Sequence, residues 1–494
     1  MNSGTASLWR AILFVASICA TEGKMIVYPR MLQSRSDDSV KILKINDDIT
    51  LNLRKSSVFS EEFFIHTTEN GDPIVYHMLG AEVEKNIYDD GDQMAVVHVT
   101  EEDGLSVEGV LGHTLRIKPL EGLERSLDGG KSHELYEIPD PDNAEHRNDD
   151  HSMPPNITTE PRLAEARMDW YKAPRLPLLI RPEVHVVVDY LISKALGFIE
   201  KKIARYVAIL TASANLRYRS IVQPRVQLTL TGITVTKTLE EEAYMVRVPG
   251  HEATRNILYE ETRAKFNEHV MKQTYFEKTD IIFLLTGLNL SKWEGSVLQH
   301  WIGGSAYLGG VCTQFRVGLC EERVGSFYGV YVFAHEIGHS LGCAHDGEDA
   351  YEWPYGHIGS KDCDSNIGYI MSYAFRKPYM YQFSPCCQRE IMNFYNRPEY
   401  QCLLVRNSIK TGIFSNKLPG SASSRQVYCE KVYYKYTHVR VDRSYKNEAC
   451  MVKCIVGREE ESWYITAVDG VKCGRRKICV LGNCTSKAEL KKAE

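Results

Sequence analysis

From Lys24 to Pro119 apolar and polar residues alternate in short runs, among them DITLNL, DPIVYHML and MAVVHVT, separated by Asn, Asp and Gly. This period-two patterning predicts half-buried strands joined by turns, and VEGVLGHTLRIKPL closes the region. Between Leu123 and Pro174 aliphatic residues thin out among Asp, Glu, Pro and His, which predicts an exposed linker. At Glu183 the pattern changes. EVHVVVDYLI and TDIIFLLTGL are almost continuous apolar runs, as expected of strands buried on both faces. VQLTLTGITV also reads as a strand, whereas the stretch around Ala195 to Ala212 and NILYEETRAKFNEHVMK read as helices. Strands alternating with helices predict an α/β layer on a mostly parallel sheet. Gly303 to Cys312 (GGSAYLGGVC) reads as an exposed edge strand able to pair with an extended peptide, or equally as an internal hairpin. Past Ser408 the aliphatic core thins again, and six cysteines fall in the remaining stretch.

A chain of 494 residues calls for more than one domain. Its 59 basic and 64 acidic residues leave a net charge of −5, which offers no basic field for nucleic acid. Arg10 ends a short polar segment, and Ala11 to Ala20 (AILFVASICA) is apolar and finishes in small residues. That is the pattern of a cleaved secretory signal, far short of the roughly 20 residues a membrane span needs. No later stretch reaches that length, so a secreted, extracellular product without a membrane span is expected. Of the 14 cysteines only Cys19 precedes Cys312. The other thirteen predict a disulfide framework in an oxidising compartment. Being odd in number, they leave one thiol free, held by a ligand, or paired between chains. Asn156, Asn289 and Asn483 begin sequons and are candidate glycosylation sites.

Residues 335 to 346 read HEIGHSLGCAHD. On a helix His335 and His339 stand one turn apart on one face, so both imidazoles can reach a single zinc ion. Gly342 permits a left-handed turn that ends the helix and swings His345 round as a third ligand. Three protein ligands leave a fourth position open, the arrangement of a catalytic rather than a structural zinc. Glu336, beside the ligands, is the candidate general base that takes a proton from the attacking water and returns it to the leaving amine. Zinc would lower the pKa of a water molecule it holds and polarise the scissile carbonyl. IGYIMSYAF then supplies Met371 as a methionine turn beneath the metal.

With these residues the chain resembles the reprolysin branch of the metzincins, the group of snake-venom and ADAM-type proteases, and within it the secreted salivary metalloproteases of blood-feeding ticks. EVHVVVD, FLLTG, AYLGGVC, HEIGHSLGCAHDG, YIMSY and FSPCCQREIMNFYNRPEYQCLL fall in the family's order over about residues 180 to 407. The resemblance implies a multidomain chain with a signal peptide (1–20), a β-rich propeptide with an acidic linker (21–175), and an α/β metzincin catalytic domain (176–412). That domain would carry a mixed, mostly parallel sheet and a long active-site helix. A small disulfide-rich, Cys-rich module (413–494) would follow. Cys312 and Cys402 match a family disulfide pair. Cys386 matches a half-cystine whose usual partner position is Ala350, so that bridge is rearranged, with Cys343 or Cys363 at hand. Asp346 matches an orienting aspartate. Glu183 and Asp280 match two positions of a calcium site, but the third is Val405, which makes calcium doubtful. The propeptide region lacks the cysteine that blocks zinc in many relatives, so latency by that switch is unavailable.

The function these residues imply is a zinc-dependent endopeptidase acting on extracellular proteins, with matrix or clotting proteins of a host as suggested substrates. The alternative is a protease-scaffold binding protein that acts on a receptor or on matrix through its Cys-rich tail. Intact His335, Glu336, His339 and His345 argue against it, since a pure binder has no physical need for Glu336.

Overall fold

The structure, a computed structural model, describes residues 24–32, 41–120, 130–138, 179–374, 376–407, 424–433, 436–446, 450–467, 471–475, 477–480 and 483–486. The expected signal segment and Asn156 lie outside the described residues.

The alternating N-terminal runs form a nine-stranded sheet in which every neighbouring pair is antiparallel. One face buries Leu43, Leu51, Val97, Val107, Ile117 and Leu135 in a common core. Leu135 corrects the expected linker. His133–Glu137 is a strand between Lys24–Val27 and Leu115–Pro119, with His133 and Leu135 turned inward. Five alternating residues suffice to add a strand to an existing edge, and the surrounding acidic composition hid them.

Two runs leave this sheet. Phe59–Glu69 and Asp72–Leu79 form an antiparallel hairpin. Its turn residues Asn70 and Gly71 both take positive φ, 54° and 88°, as a two-residue hairpin loop requires. The hairpin belongs to a second, ten-stranded sheet, ordered Gly304–Ala306, Val317–Glu321, Ile281–Thr286, Glu183–Val188, Thr229–Val235, Phe59–Glu69, Asp72–Leu79, Glu461–Thr466, Met451–Val456 and Arg440–Val441. The four strands from Val317–Glu321 to Thr229–Val235 run parallel. Gly304–Ala306 closes one end antiparallel.

The helix Glu200–Tyr218 is buried along most of its length because both sheets cover it. Val96 and Val110 of the antiparallel sheet, Val186 and Ile233 of the parallel strands, and Val207 and Leu210 of the helix share one apolar cluster. Arg205 pairs with Glu108 at 3.0 Å and Arg219 with Asp89 at 2.7 Å across this contact.

EVHVVVDYLI is not one strand. It stops at Val188, and Asp189 caps a short helix, Tyr190–Ala195. The buried Asp189 carboxylate accepts from the Ile192 amide at 2.8 Å, the Thr286 hydroxyl at 2.8 Å and the Gly287 amide at 2.9 Å. It thereby ties the ends of two neighbouring strands to that helix.

Among the described residues six disulfides are formed. Cys312 pairs with Cys402, Cys343 with Cys387 and Cys363 with Cys386 around the parallel strands. Cys429–Cys454, Cys450–Cys479 and Cys473–Cys484 hold the C-terminal module. The odd thiol is Cys320, free and buried. No described helix is long and apolar enough to cross a membrane.

Candidate metal centre

The apolar run before the first histidine folds as the helix Gly329–Ser340, buried at nearly every position. Its start is fixed by Glu322, whose Oε2 accepts from the Gly329 amide at 2.9 Å. The Tyr206 hydroxyl donates to the other oxygen of Glu322 at 2.9 Å. An acidic group at this terminus meets the positive end of the helix dipole. Immediately before His335, the Tyr218 hydroxyl donates to the Ala334 carbonyl at 2.8 Å.

The helix ends where a glycine permits it. Gly342 adopts φ of 102°, and a Cβ there would collide with the Phe394 ring. Its amide donates to the His339 carbonyl at 2.8 Å, and that of Cys343 to the Gly338 carbonyl at 2.9 Å, so the last carbonyls are satisfied. The chain then doubles back and brings His345 to the pair above it.

His335, His339 and His345 are buried and present one ring nitrogen each within 4.8 Å of the others. The Nε2 atoms of His335 and His339 are 3.0 Å apart, and those of His335 and His345 3.3 Å. Their Nδ1 atoms face outward. That of His335 lies 2.7 Å from the Ile370 carbonyl, and that of His339 2.7 Å from the Cys343 carbonyl. A carbonyl only accepts, so each of these Nδ1 atoms carries the proton, and in the neutral ring Nε2 offers a lone pair. Nε2 lone pairs converging in a buried space repel one another unless a cation lies between them. The donor set, imidazole nitrogens with their far sides fixed by hydrogen bonds, fits zinc.

The third histidine is held by a group the sequence pattern does not single out. Glu348 accepts from the His345 amide at 3.1 Å through one oxygen and faces its Nδ1 at 3.2 Å through the other. The Tyr373 hydroxyl lies 3.4 Å from the same nitrogen. A carboxylate three residues after a histidine is too common a spacing to be a signal by itself.

Glu336 is fully buried on the same helix. It packs over Gly304, where an added Cβ would stand 2.7 Å from its Cγ and 2.7 Å from its Oε1. This corrects the expected exposed edge. Gly304–Ala306 does end the sheet, but positions 303 to 311 are buried throughout. The helices Tyr259–Lys272 and Gly329–Ser340 both pack on the strand, and Gly303 and Gly304 let the second of them approach closely.

Met371 is buried, and its Sδ would stand 2.9 Å from a Cβ at Gly338, between the first two histidines on the helix. Its carbonyl accepts from the Asp346 amide at 2.8 Å. The Asp346 carboxyl, pushed up to about 6 by burial, accepts from the Ser384 hydroxyl at 2.6 Å. It thus braces the turn against the helix Pro385–Tyr395.

Glu183 and Asp280 are buried side by side, with the Glu183 amide donating to Asp280 Oδ2 at 2.8 Å. Burial first, and then the neighbouring carboxylate, push Asp280 up to about 8. Val405 is exposed. Asn289 is half-buried and donates to Asn256 Oδ1 at 3.1 Å, and Asn483 opens the strand Asn483–Ser486. A second cluster of metal-binding residue types, Cys450, Cys473 and Cys484, consists of disulfide sulfurs.

Residues 182–384 match the family model Reprolysin_5, described as metallo-peptidase family M12. The chain is 23% identical over 481 residues to "A disintegrin and metalloproteinase with thrombospondin motifs like" of Bombyx mori, covering 83% of this chain and 67% of that protein. It is 25% identical over 403 residues to "Venom metalloproteinase BumaMPs1" of Olivierus martensii, covering 80% and 96%. Against "Venom metalloproteinase antarease TserMP_A" of Tityus serrulatus it is 25% identical over 412 residues, covering 80% and 97%.

Proposed function

We propose that this metalloendopeptidase, reprolysin-like over residues 182–384, is a secreted zinc enzyme that cleaves extracellular proteins. The ligands in this reading are His335, His339 and His345, and Glu336 is the general base. The observation that carries it is the convergence of Nε2 atoms whose rings are oriented on the far side by two carbonyls and the Glu348 carboxylate.

When bound, zinc supplies Lewis acidity towards a water molecule and the scissile carbonyl. The remaining work falls to the chain. Glu336, one residue from the first ligand and packed on Gly304, takes the proton of the attacking water and delivers it to the departing amine. Glu348 and the Ile370 and Cys343 carbonyls keep the three imidazoles in one tautomer and one orientation. Met371 supports the helix from below.

The organisation that accompanies this reading is a signal peptide, an N-terminal pro-region, a catalytic domain over 176–412 and a Cys-rich module that contacts a protein partner. Its motifs resemble the salivary enzymes of ticks, which points to host matrix or clotting proteins as substrates. Protein substrate should be hydrolysed by purified material, and a chelator should abolish that hydrolysis. Glu336→Ala should lower the rate by about 10²–10⁴-fold while zinc content stays stoichiometric. Undiminished hydrolysis by that variant would overturn the mechanism.

A further inference from the structure

The hairpin Phe59–Glu69/Asp72–Leu79 lies between two units that are far apart in sequence. Its first strand runs parallel to Thr229–Val235, with Phe64 opposite Gly232 and Ile65 opposite Ile233. Its second runs parallel to Glu461–Thr466, with Val75 opposite Ile465. The side chains divide in the same way. Phe63 and Ile65 are buried in the apolar cluster that includes Val186, Ile233 and Ile337 of the catalytic region. Val75 packs against the core of the Cys-rich module, beside Cys454 and Ile465.

Other groups of the N-terminal region also reach the catalytic region. Arg116, almost fully buried, donates through Nε to the Ser326 carbonyl at 2.6 Å, just ahead of the active-site helix. The Tyr136 hydroxyl donates to the Gly325 carbonyl at 2.5 Å. Removing residues 24–138 would leave buried apolar side chains exposed, one edge of Thr229–Val235 unpaired, and the edge of Glu461–Thr466 unpaired as well. Open edges of that kind are a liability that folded chains avoid.

We infer that residues 24–138 are a standing structural subunit, which mounts the Cys-rich module on the catalytic domain and remains bound after any cut between residues 139 and 178. The occupant of both sheet edges is this chain's own N-terminal segment. The inference concerns assembly and holds whether or not the zinc reading above is right.

The test inserts a recognition site for a specific protease between residues 139 and 178 of the full chain and cuts the purified protein to completion. Size-exclusion chromatography under native conditions should return both products in one particle. Amides of Thr229–Val235 and Glu461–Thr466 should exchange with deuterium no faster than before the cut. Separation of the fragments, or faster exchange along both strands, would overturn the inference. In Val75→Asp, exchange should rise along Glu461–Thr466 and stay low along Thr229–Val235. Unchanged protection of both strands in that variant would remove the mounting role. None of these readings depends on the protein's own hydrolytic activity.

Discussion

Glu348 holds His345 twice, accepting from its backbone amide through one carboxylate oxygen and facing its Nδ1 through the other. The first two histidines rely on carbonyls of the main chain, which no substitution removes. His345 depends on a side chain that can be deleted. In Glu348→Ala the third ring loses its orientation, and zinc affinity should fall by about 10–100-fold, the usual effect of removing a group that orients a ligand. Competition with a chromophoric chelator measures this. Wild-type affinity in that variant would show that Tyr373 is sufficient.

Gly304→Ala places a methyl group against Glu336 and Val332. The atoms nearest that methyl belong to Val332 and Glu336 rather than to a histidine, so zinc content should be unchanged while the turnover number falls. Displacing a reacting group by about 1 Å costs up to roughly 100-fold. Titrating zinc and measuring kcat and KM on the same preparation checks both halves. A parallel loss of zinc would mean that the helix moved as a whole.

Cys320 is buried, and burial together with nearby carboxylates holds its thiol well above the usual range. The thiolate is the reactive form. A thiol reagent should therefore find no reactive cysteine among the described residues of the native protein, and Cys320 should react after denaturation in the absence of reductant. Reaction before unfolding would place Cys320 on an opening segment.

His66 of the hairpin and His185 of the central strand lie 5.5 Å apart by ring centroids, and Tyr275 stacks on His66. The Thr234 hydroxyl is 2.9 Å from His185 Nε2. Burial pushes His66 down to about 4 and His185 well below 6.5. Both rings are therefore neutral in the folded chain at neutral pH. The unfolded chain takes up protons on them below about pH 6.5, and the folded chain does so only further down. Their contribution to stability is complete above about 6.5 and is lost as pH falls towards 4. Urea midpoints at pH 7.5 and pH 5 should show the drop, and His66→Gln should reduce it. Equal slopes for the two proteins would exclude His66 as a cause.

What the amino-acid pattern revealed and what it concealed follow a physical division. The histidine cluster was legible because a helix forces His335 and His339 onto one face and Gly342 marks the turn to His345, all within eleven positions. The buried parallel strands were legible as apolar runs, although the run EVHVVVDYLI hides the helix cap at Asp189. His133–Glu137 was lost in its acidic neighbourhood. The hairpin's place in the second sheet left no local trace. Parallel pairing between remote strands depends on edges elsewhere in the fold, and half-buried alternation reads the same whichever sheet it joins. The cover over Gly304 was hidden for a similar reason, since glycines in a strand look like an open edge until a helix is seen lying on them.

The strand pairs Phe59–Glu69 with Thr229–Val235 and Asp72–Leu79 with Glu461–Thr466 also bear on the order of biosynthesis. A ribosome delivers the N-terminus first, and domains generally form as they emerge. The hairpin is complete before either of its partners has been translated, so it is a ready template on which first the protease strands and then the last module assemble. Contacts closed across nearly the whole polypeptide form slowly, and a pre-built edge gives each newcomer a defined register to join.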